Sequence, residues 1–315
     1  MGGVVGRARA KLLLFGEHAA VYGHPAAGVA LADETAVTLD GPDVSDWDLG
    51  PVPAEDRGAV ADALRRVEEK LPELAAHRRC SVSIRGGMAR MAGFGSSAAL
   101  CGALARAALL HAGGDAADLA RAWEIAHHAE RRFHGTPSGV DTGLALLGGT
   151  VIFQPRPPAL PEYQVIPAAG VSLVVAAVRR DEACADLIAG LALRMKAGDR
   201  TVSAAISVLG ELSGFAAAVL RAGGTGAPRY VGTLADAAMR QLSSVGLSTP
   251  DLELVLEAAR RAGALGAKLS GAGGGGAFYA VAPDAGAAAV ISTAIESAAA
   301  AAGVRLLLRP RVITA

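Results

Sequence analysis

Four consecutive glycines, Gly273–Gly276, stand between two short apolar segments in "GAKLSGAGGGGAFYA" (266–280). A backbone this bare of side chains can turn sharply, or let another segment or a ligand approach to contact distance. Gly271, Gly273 and Gly276 also meet the G-x-G-x-x-G spacing of dinucleotide-binding loops. That chemistry requires a strand before the glycines and a helix after them, because the helix N-terminus holds the pyrophosphate. Here "AFYAVA" follows, which is apolar, aromatic and strand-like. The stretch therefore reads as a turn between two strands, not as a nicotinamide site, and four glycines exceed what a hairpin alone needs.

A second glycine loop, "GFGSSAAL" (93–100), opens a helical pattern, with Ser96 and Ser97 as its starters. Exposed backbone N–H groups, two hydroxyls and a positive helix end form a site suited to phosphate; an N-capped core helix after a loop is the plainer alternative. No G-x-x-x-x-G-K-[ST] run occurs, so this is not a P-loop ATPase. Strands are expected at 7–15, 80–86, 149–154 and 171–178. Helices are expected from 96, from Asp115 to near Phe133, after "PSGVD", and at about 183–196, 199–222, 228–245 and 250–263. The chain ends with strands around the glycine turn, an Ala-rich helix at 285–302 and the strand "VRLLLRPRV". Mixed strands and helices without regular alternation indicate an α+β fold. At 315 residues two domains are expected, with the proline-rich segment 156–169 as boundary, giving 1–165 and 166–315.

Composition narrows the function classes. Lys+Arg and Asp+Glu balance at 30 each, and aromatics are only 4%, so neither nucleic acid nor an anionic membrane is an expected partner. No uninterrupted apolar stretch approaches about 18 residues, the length of a membrane span. Cys80, Cys101 and Cys184 are odd in number and far apart, which favours a reducing cytoplasm over a disulfide framework or zinc site.

Three motifs taken in order, "KLLLFGEHAAVYGHPA" (11–26), "GFGSSAAL" (93–100) and "KLSGAGGGGA" (268–277), resemble those of the GHMP kinase superfamily. Two further stretches, "AERRFHGTPSGVD" (129–141) and "LSTPDLELVLEAARRAGALGAKLSG" (247–271), make its mevalonate kinase branch the most similar. The resemblance implies a two-domain α+β fold, with an N-terminal domain like S5 domain 2, a ferredoxin-like C-terminal domain and the active site between them. It implies ATP and Mg²⁺ as cofactors and transfer of phosphate to the primary hydroxyl of mevalonate or a similar small hydroxy acid; homoserine or a sugar is the alternative acceptor. A homodimer is what the family suggests.

Carried over position by position, Gly93, Gly95, Ser96, Ser97 and Ala98 wrap the ATP phosphates, and Gly271, Gly273 and Gly274 pack against that loop. Ser97 and Glu130 resemble the Mg²⁺ ligands. Asp141 resembles the base facing the acceptor hydroxyl and Lys11 the lysine beside it. Glu17, His18, Ser138 and Cys184 fall where the family lines its substrate pocket. The chemistry agrees with these residue types: phosphoryl transfer needs positioning, charge neutralisation and one group to take a proton, and Mg²⁺ takes oxygen ligands. Residue by residue, plainer roles stay open. Lys11 reads equally as a strand-edge lysine, Asp141 as a helix cap and Glu130 as a solvated helix residue. His127, Glu130 and His134 share a helix face, but a third strong zinc ligand is missing.

The sequence departs from the family in four places. Ala89 and Met91 stand where a proline and a small residue usually precede the phosphate loop. Ala277 replaces a common cysteine. Ala183 and Cys184 stand where mevalonate kinases have a Ser-Thr pair, and a thiol is a poor hydrogen-bond partner beside a hydroxyl. Arg179 and Arg180 nearby read either as a carboxylate clamp or as exposed loop charges.

Overall fold

A computed structural model describes residues 3–76, 79–86, 92–134, 137–180 and 184–315. Ala89, Met91 and Ala183 lie outside these residues, as do the side chains of His134 and Cys184. The first part of the chain runs β1 (Val4–Phe15), β2 (Ala26–Val44), α1 (Arg57–Lys70), β3 (Arg79–Gly86), α2 (Ser96–His111), α3 (Leu119–His134) and α4 (Val140–Leu147). There follow β4 (Thr150–Arg156), β5 (Ala159–Ile166), β6 (Ser172–Val178), α5 (Cys184–Lys196), α6 (Arg200–Ala222) and α7 (Ala227–Ser244). The chain closes with α8 (Pro250–Arg261), β7 (Gly266–Leu269), β8 (Gly276–Ala282), α9 (Ala285–Ala302) and β9 (Leu306–Thr314). The α+β expectation holds.

These elements form two compact units. The first comprises Met1–Lys11, Ala30–Met88 and Gly95–Gly148; the second comprises Leu12–Val29, Ala89–Phe94 and Gly149–Ala315. The boundary expected at 165/166 falls inside the second unit. The physical reason is the hairpin β4–β5, whose pairing runs from Thr150↔Ile166 to Arg156↔Ala159, so the proline-rich segment is a strand and not a linker.

In the first unit the later part of β2 pairs antiparallel with β3, from Thr35↔Gly86 to Asp40↔Ser81. Helix α3 packs on α1, α2 and α4. The sequence reading places nothing over 26–70, where β2 and α1 lie. Helix α1 is amphipathic and buries Val60, Ala63, Leu64 and Val67, one face at helical spacing. Helix α3 starts four residues later than expected. Asp115 makes a turn of its own, accepting from Ala117 N–H at 2.8 Å, and Asp118 accepts from Arg121 N–H at 3.0 Å at the true helix start.

In the second unit the strand order is β7-β8-β6-β9, all pairs antiparallel. Strand β6, "SLVVAAV", is central and buried along nearly its whole length, as its unbroken apolar run requires. Helices α6 and α9 are long and apolar enough to cross a membrane by length and composition, although Glu211 and Glu296 interrupt their apolar runs. Each packs within this unit, α6 along α7 and α9 over β6, β8 and β9.

Candidate active site

In the first unit, Lys11, Glu130 and Asp141 come together from β1, α3 and α4. Lys11 is 2% exposed, and its Nζ lies 3.0 Å from Asp141 Oδ2. A buried ammonium is tolerated only beside such a partner, so the strand-edge reading of Lys11 is excluded. The helix cap before Asp141 is Gly139, which places Asp141 in the first turn of α4 with its carboxylate committed to Lys11 and not to capping. Gly139 itself is held by two donors to its carbonyl, Trp123 Nε1–H at 3.0 Å and the Thr142 hydroxyl at 3.2 Å. Ser138 Oγ accepts from Val140 N–H at 3.4 Å in the same turn.

Glu130 is 1% exposed, which excludes the solvated reading. Burial is the main cause that pushes its carboxyl up to about 8; the negative charge of Asp141 adds to this and Lys11 opposes it. Glu130 and Asp141 are thus neighbouring carboxyls with different fates near neutral pH, one held protonated and one paired with an ammonium. A carboxyl in that condition accepts a divalent cation by releasing its proton. Among the described residues no three His, Cys, Asp or Glu cluster as a metal cage, and the zinc reading gains no support. Mg²⁺ needs only one or two protein oxygens beside phosphate oxygens and water, which Glu130 and Ser97 fit in kind.

Helix α2 begins at this site. Its cap is Gly95 at φ 73°, with no side-chain cap bond, so Ser96 and Ser97 are its first helical residues and not its caps. No side chain of the cap residue covers the first-turn N–H groups, and a helix start of this kind is the arrangement that binds anions. Both serines are half-buried, and Ala98 is sealed. A Cβ on Gly95 would stand 2.6 Å from Lys11 Cε, so the lysine stem lies directly across this turn. The glycine is required twice, for its left-handed φ and for that approach.

In the second unit, Glu17 is turned inward. Its Oε1 lies 2.5 Å from Lys268 Nζ, and both side chains are shut off from solvent. Glu17, which falls where the family lines its substrate pocket, here has its carboxylate neutralising a buried lysine. Lys268 also donates to the carbonyls of Leu14 at 3.2 Å and Leu269 at 2.7 Å, and Tyr279 OH donates to Leu14 O at 2.8 Å. The adjacent His18 adopts φ 59°, and one ring nitrogen is 3.1 Å from Ala272 O. Burial lowers its pKa to about 4, so the ring is neutral at physiological pH. Lys268 is a residue that sequence reasoning missed, although a lysine inside the apolar strand "GAKLSG" is itself a signal of a buried partner.

The glycine turn joins β7 to β8, strand to strand, which removes the dinucleotide reading. Gly273 has φ 91°, and a Cβ there would stand 2.5 Å from Leu247 O. Gly274 N–H donates to that same carbonyl at 2.9 Å. A Cβ on Gly93 would lie 2.8 Å from Ala277 N, so the loop before α2 does press on the end of this turn. A Cβ on Gly271 would meet nothing. Cys184 opens α5. The two arginines separate: Arg179 is exposed, whereas Arg180 is buried and donates to Gly273 O at 3.2 Å.

Residues 59–149 match the family model described as GHMP kinases N terminal domain, and residues 215–301 the model GHMP kinases C terminal. A mevalonate kinase of Methanothermobacter thermautotrophicus is 31% identical over 283 residues, covering 88% of this chain and 89% of that protein. One of Thermococcus sibiricus is 29% identical over 308 residues, covering 89% and 90%. Among solved structures, L. major mevalonate kinase in complex with R-mevalonate superposes with a TM-score of 0.76 at 24% identity, over 94% of this chain and 92% of that one.

Proposed function

We propose that this chain, which belongs to the GHMP kinase family, transfers the γ-phosphoryl group of ATP to the 5-hydroxyl of mevalonate, giving 5-phosphomevalonate. The observation that carries the reading is the Lys11–Asp141 pair lying against the glycine-capped start of α2. A base and a cation are held where a phosphate would dock.

In this reading Asp141 accepts the proton of the acceptor hydroxyl. Lys11 stabilises the developing alkoxide; at ~4 Å and an effective dielectric near 20 that interaction reaches about 4 kcal/mol, an upper figure because Asp141 offsets part of it. The N–H groups of Ser96, Ser97 and Ala98 receive phosphate oxygens. Glu130 and the Ser97 hydroxyl hold Mg²⁺, which when bound supplies neutralisation of the phosphate charge. His18 and Ser138 are the residues proposed to contact the acceptor, and Glu17 bears on His18 only through the buried pair that it forms with Lys268. The protein works in the cytoplasm as a homodimer on small molecules, with neither nucleic acid nor membrane as partner. The balanced charge supports the partner reading, the odd number of widely spaced cysteines supports the reducing compartment, and the homodimer is what the family suggests.

A second reading, transfer to another hydroxy acid, homoserine or a sugar, is favoured by Ala183-Cys184 in place of the family's Ser-Thr pair. ADP release measured side by side with mevalonate, phosphomevalonate, homoserine and sugars separates the two. Turnover confined to mevalonate upholds the first reading, and preference for any other acceptor replaces it.

A further inference from the structure

Arg180 sits where the register of the sheet delivers it. Val178, the last residue of β6, pairs with Gly276, the first of β8, so the chain leaves the sheet beside the glycine turn. The arginine is 8% exposed, and its Nε–H donates to Gly273 O at 3.2 Å. The same guanidinium fills the space that side chains would take on two other glycines. A Cβ on Gly93 would stand 3.1 Å from Nη2, and one on Gly276 would collide with Nη2 and Cζ. One planar cation thus lies against the Gly93 turn on one side and the Gly273–Gly276 turn on the other. A guanidinium suits this place: it is flat enough to slot between bare backbones, and its donors point outward in a fixed fork.

We infer that Arg180 is a positioning residue for the nucleotide: it clamps the turn at Gly93, the segment that leads into α2, to the third glycine motif. Gly93 is two residues from Gly95, the cap of that helix, so little chain lies between them to absorb a displacement. Phosphate positioning tolerates errors of only about 0.5 Å. This arginine is no exposed charge, and its guanidinium lies against glycine backbone. The inference rests on the proposed ATP-dependent activity for its kinetic consequence, but the clamp itself does not.

The test compares Arg180→Gln and Arg180→Lys with the parent protein, so that one variant remains if the other fails to fold. Amide hydrogen exchange reads the clamp without any activity. Both variants are expected to exchange about tenfold faster at 92–95 and 273–277 and to be unchanged elsewhere, the scale of one lost charged hydrogen bond. In ADP-release assays the KM for ATP is expected to rise about tenfold, with the acceptor KM within about twofold. Unchanged exchange at both turns overturns the inference, as does faster exchange throughout the chain. Local loosening with an unaltered ATP KM overturns it as well. A parent protein that releases no ADP with any acceptor instead defeats the functional reading, and exchange alone then decides the clamp.

Discussion

Lys11 Nζ lies 3.0 Å from Asp141 Oδ2, the lysine sealed from solvent and the carboxylate side chain about 32% exposed. The pair is therefore asymmetric, with its positive member inside and its negative member at the opening. Asp141→Asn removes the proton acceptor without changing the shape of the site. Turnover is expected to fall by about 10²–10⁴, the usual worth of a general base, while ATP affinity stays nearly constant. Lys11→Met is expected to lower kcat far more than it raises the ATP KM. Steady-state kinetics beside nucleotide titration checks both; near parental rates in Asp141→Asn would remove it from the base role.

Glu130 makes stability depend on pH in a stated direction. Its carboxyl is raised from 4.5 to about 8 on folding, so between these values the folded state holds a proton that the unfolded state has released. The stabilisation is complete below about pH 4.5 and is lost as pH rises through about 8. Glu130→Gln, which cannot ionise, is expected to gain in Tm relative to the parent as pH climbs through that window. Paired thermal melts across pH 5–9, read against about one unit of tolerance in the midpoint, test this. A difference that does not vary with pH would mean that Glu130 ionises freely in the fold.

Two glycines of the same turn should answer differently to alanine. Gly271 has φ 89° with open space around its Cβ position, whereas Gly273 has φ 91° and meets Leu247 O at 2.5 Å. Gly271→Ala is expected to cost about 1–2 kcal/mol, the penalty of the left-handed conformation alone. Gly273→Ala adds a backbone collision, so at least about twice that loss is expected, with a raised KM for ATP. Denaturant melts rank the two; equal losses would show that packing against Leu247 is slack.

His18 holds a left-handed backbone at φ 59°, and burial keeps its ring neutral down to about pH 4. A folded pKa below the unfolded value of 6.5 means stability is present above pH 6.5 and falls away as pH drops through about 4. His18→Asn, which tolerates this φ and does not titrate, is expected to keep more stability at pH 5 than the parent. His18→Val is expected to lose about 1–2 kcal/mol at every pH. Urea melts at pH 5 and 8 discriminate; an identical pH response in His18→Asn and the parent would exclude titration of this ring.

Much of the fold was legible because its signals are local. The unbroken run "SLVVAAV" marks a central strand, the glycines of 271–276 mark a turn, and Asp199 caps α6 by accepting from Thr201 and Val202 N–H as a sequence cap signal implies. Proline misled at 156–169, because β5 accommodates Pro161 within a two-stranded pairing. The helix start expected at 96 holds, and only its cap, Gly95 in the left-handed conformation, needed the structure to be seen.

The sequence by itself determined the class of the fold, the order of the glycine motifs and the short list of residues able to do phosphoryl chemistry, since each depends on neighbours along the chain. Which charges meet was decided only by tertiary structure. Glu17 and Lys268 are 251 positions apart, and nothing local distinguishes a carboxylate bound for substrate from one bound to a buried lysine. Arg179 and Arg180 are adjacent and chemically identical, yet one faces solvent and the other lies between two glycine turns. Packing separates them: just past the end of β6, Arg180 is buried against Gly93, Gly273 and Gly276, contacts that lie far away along the chain.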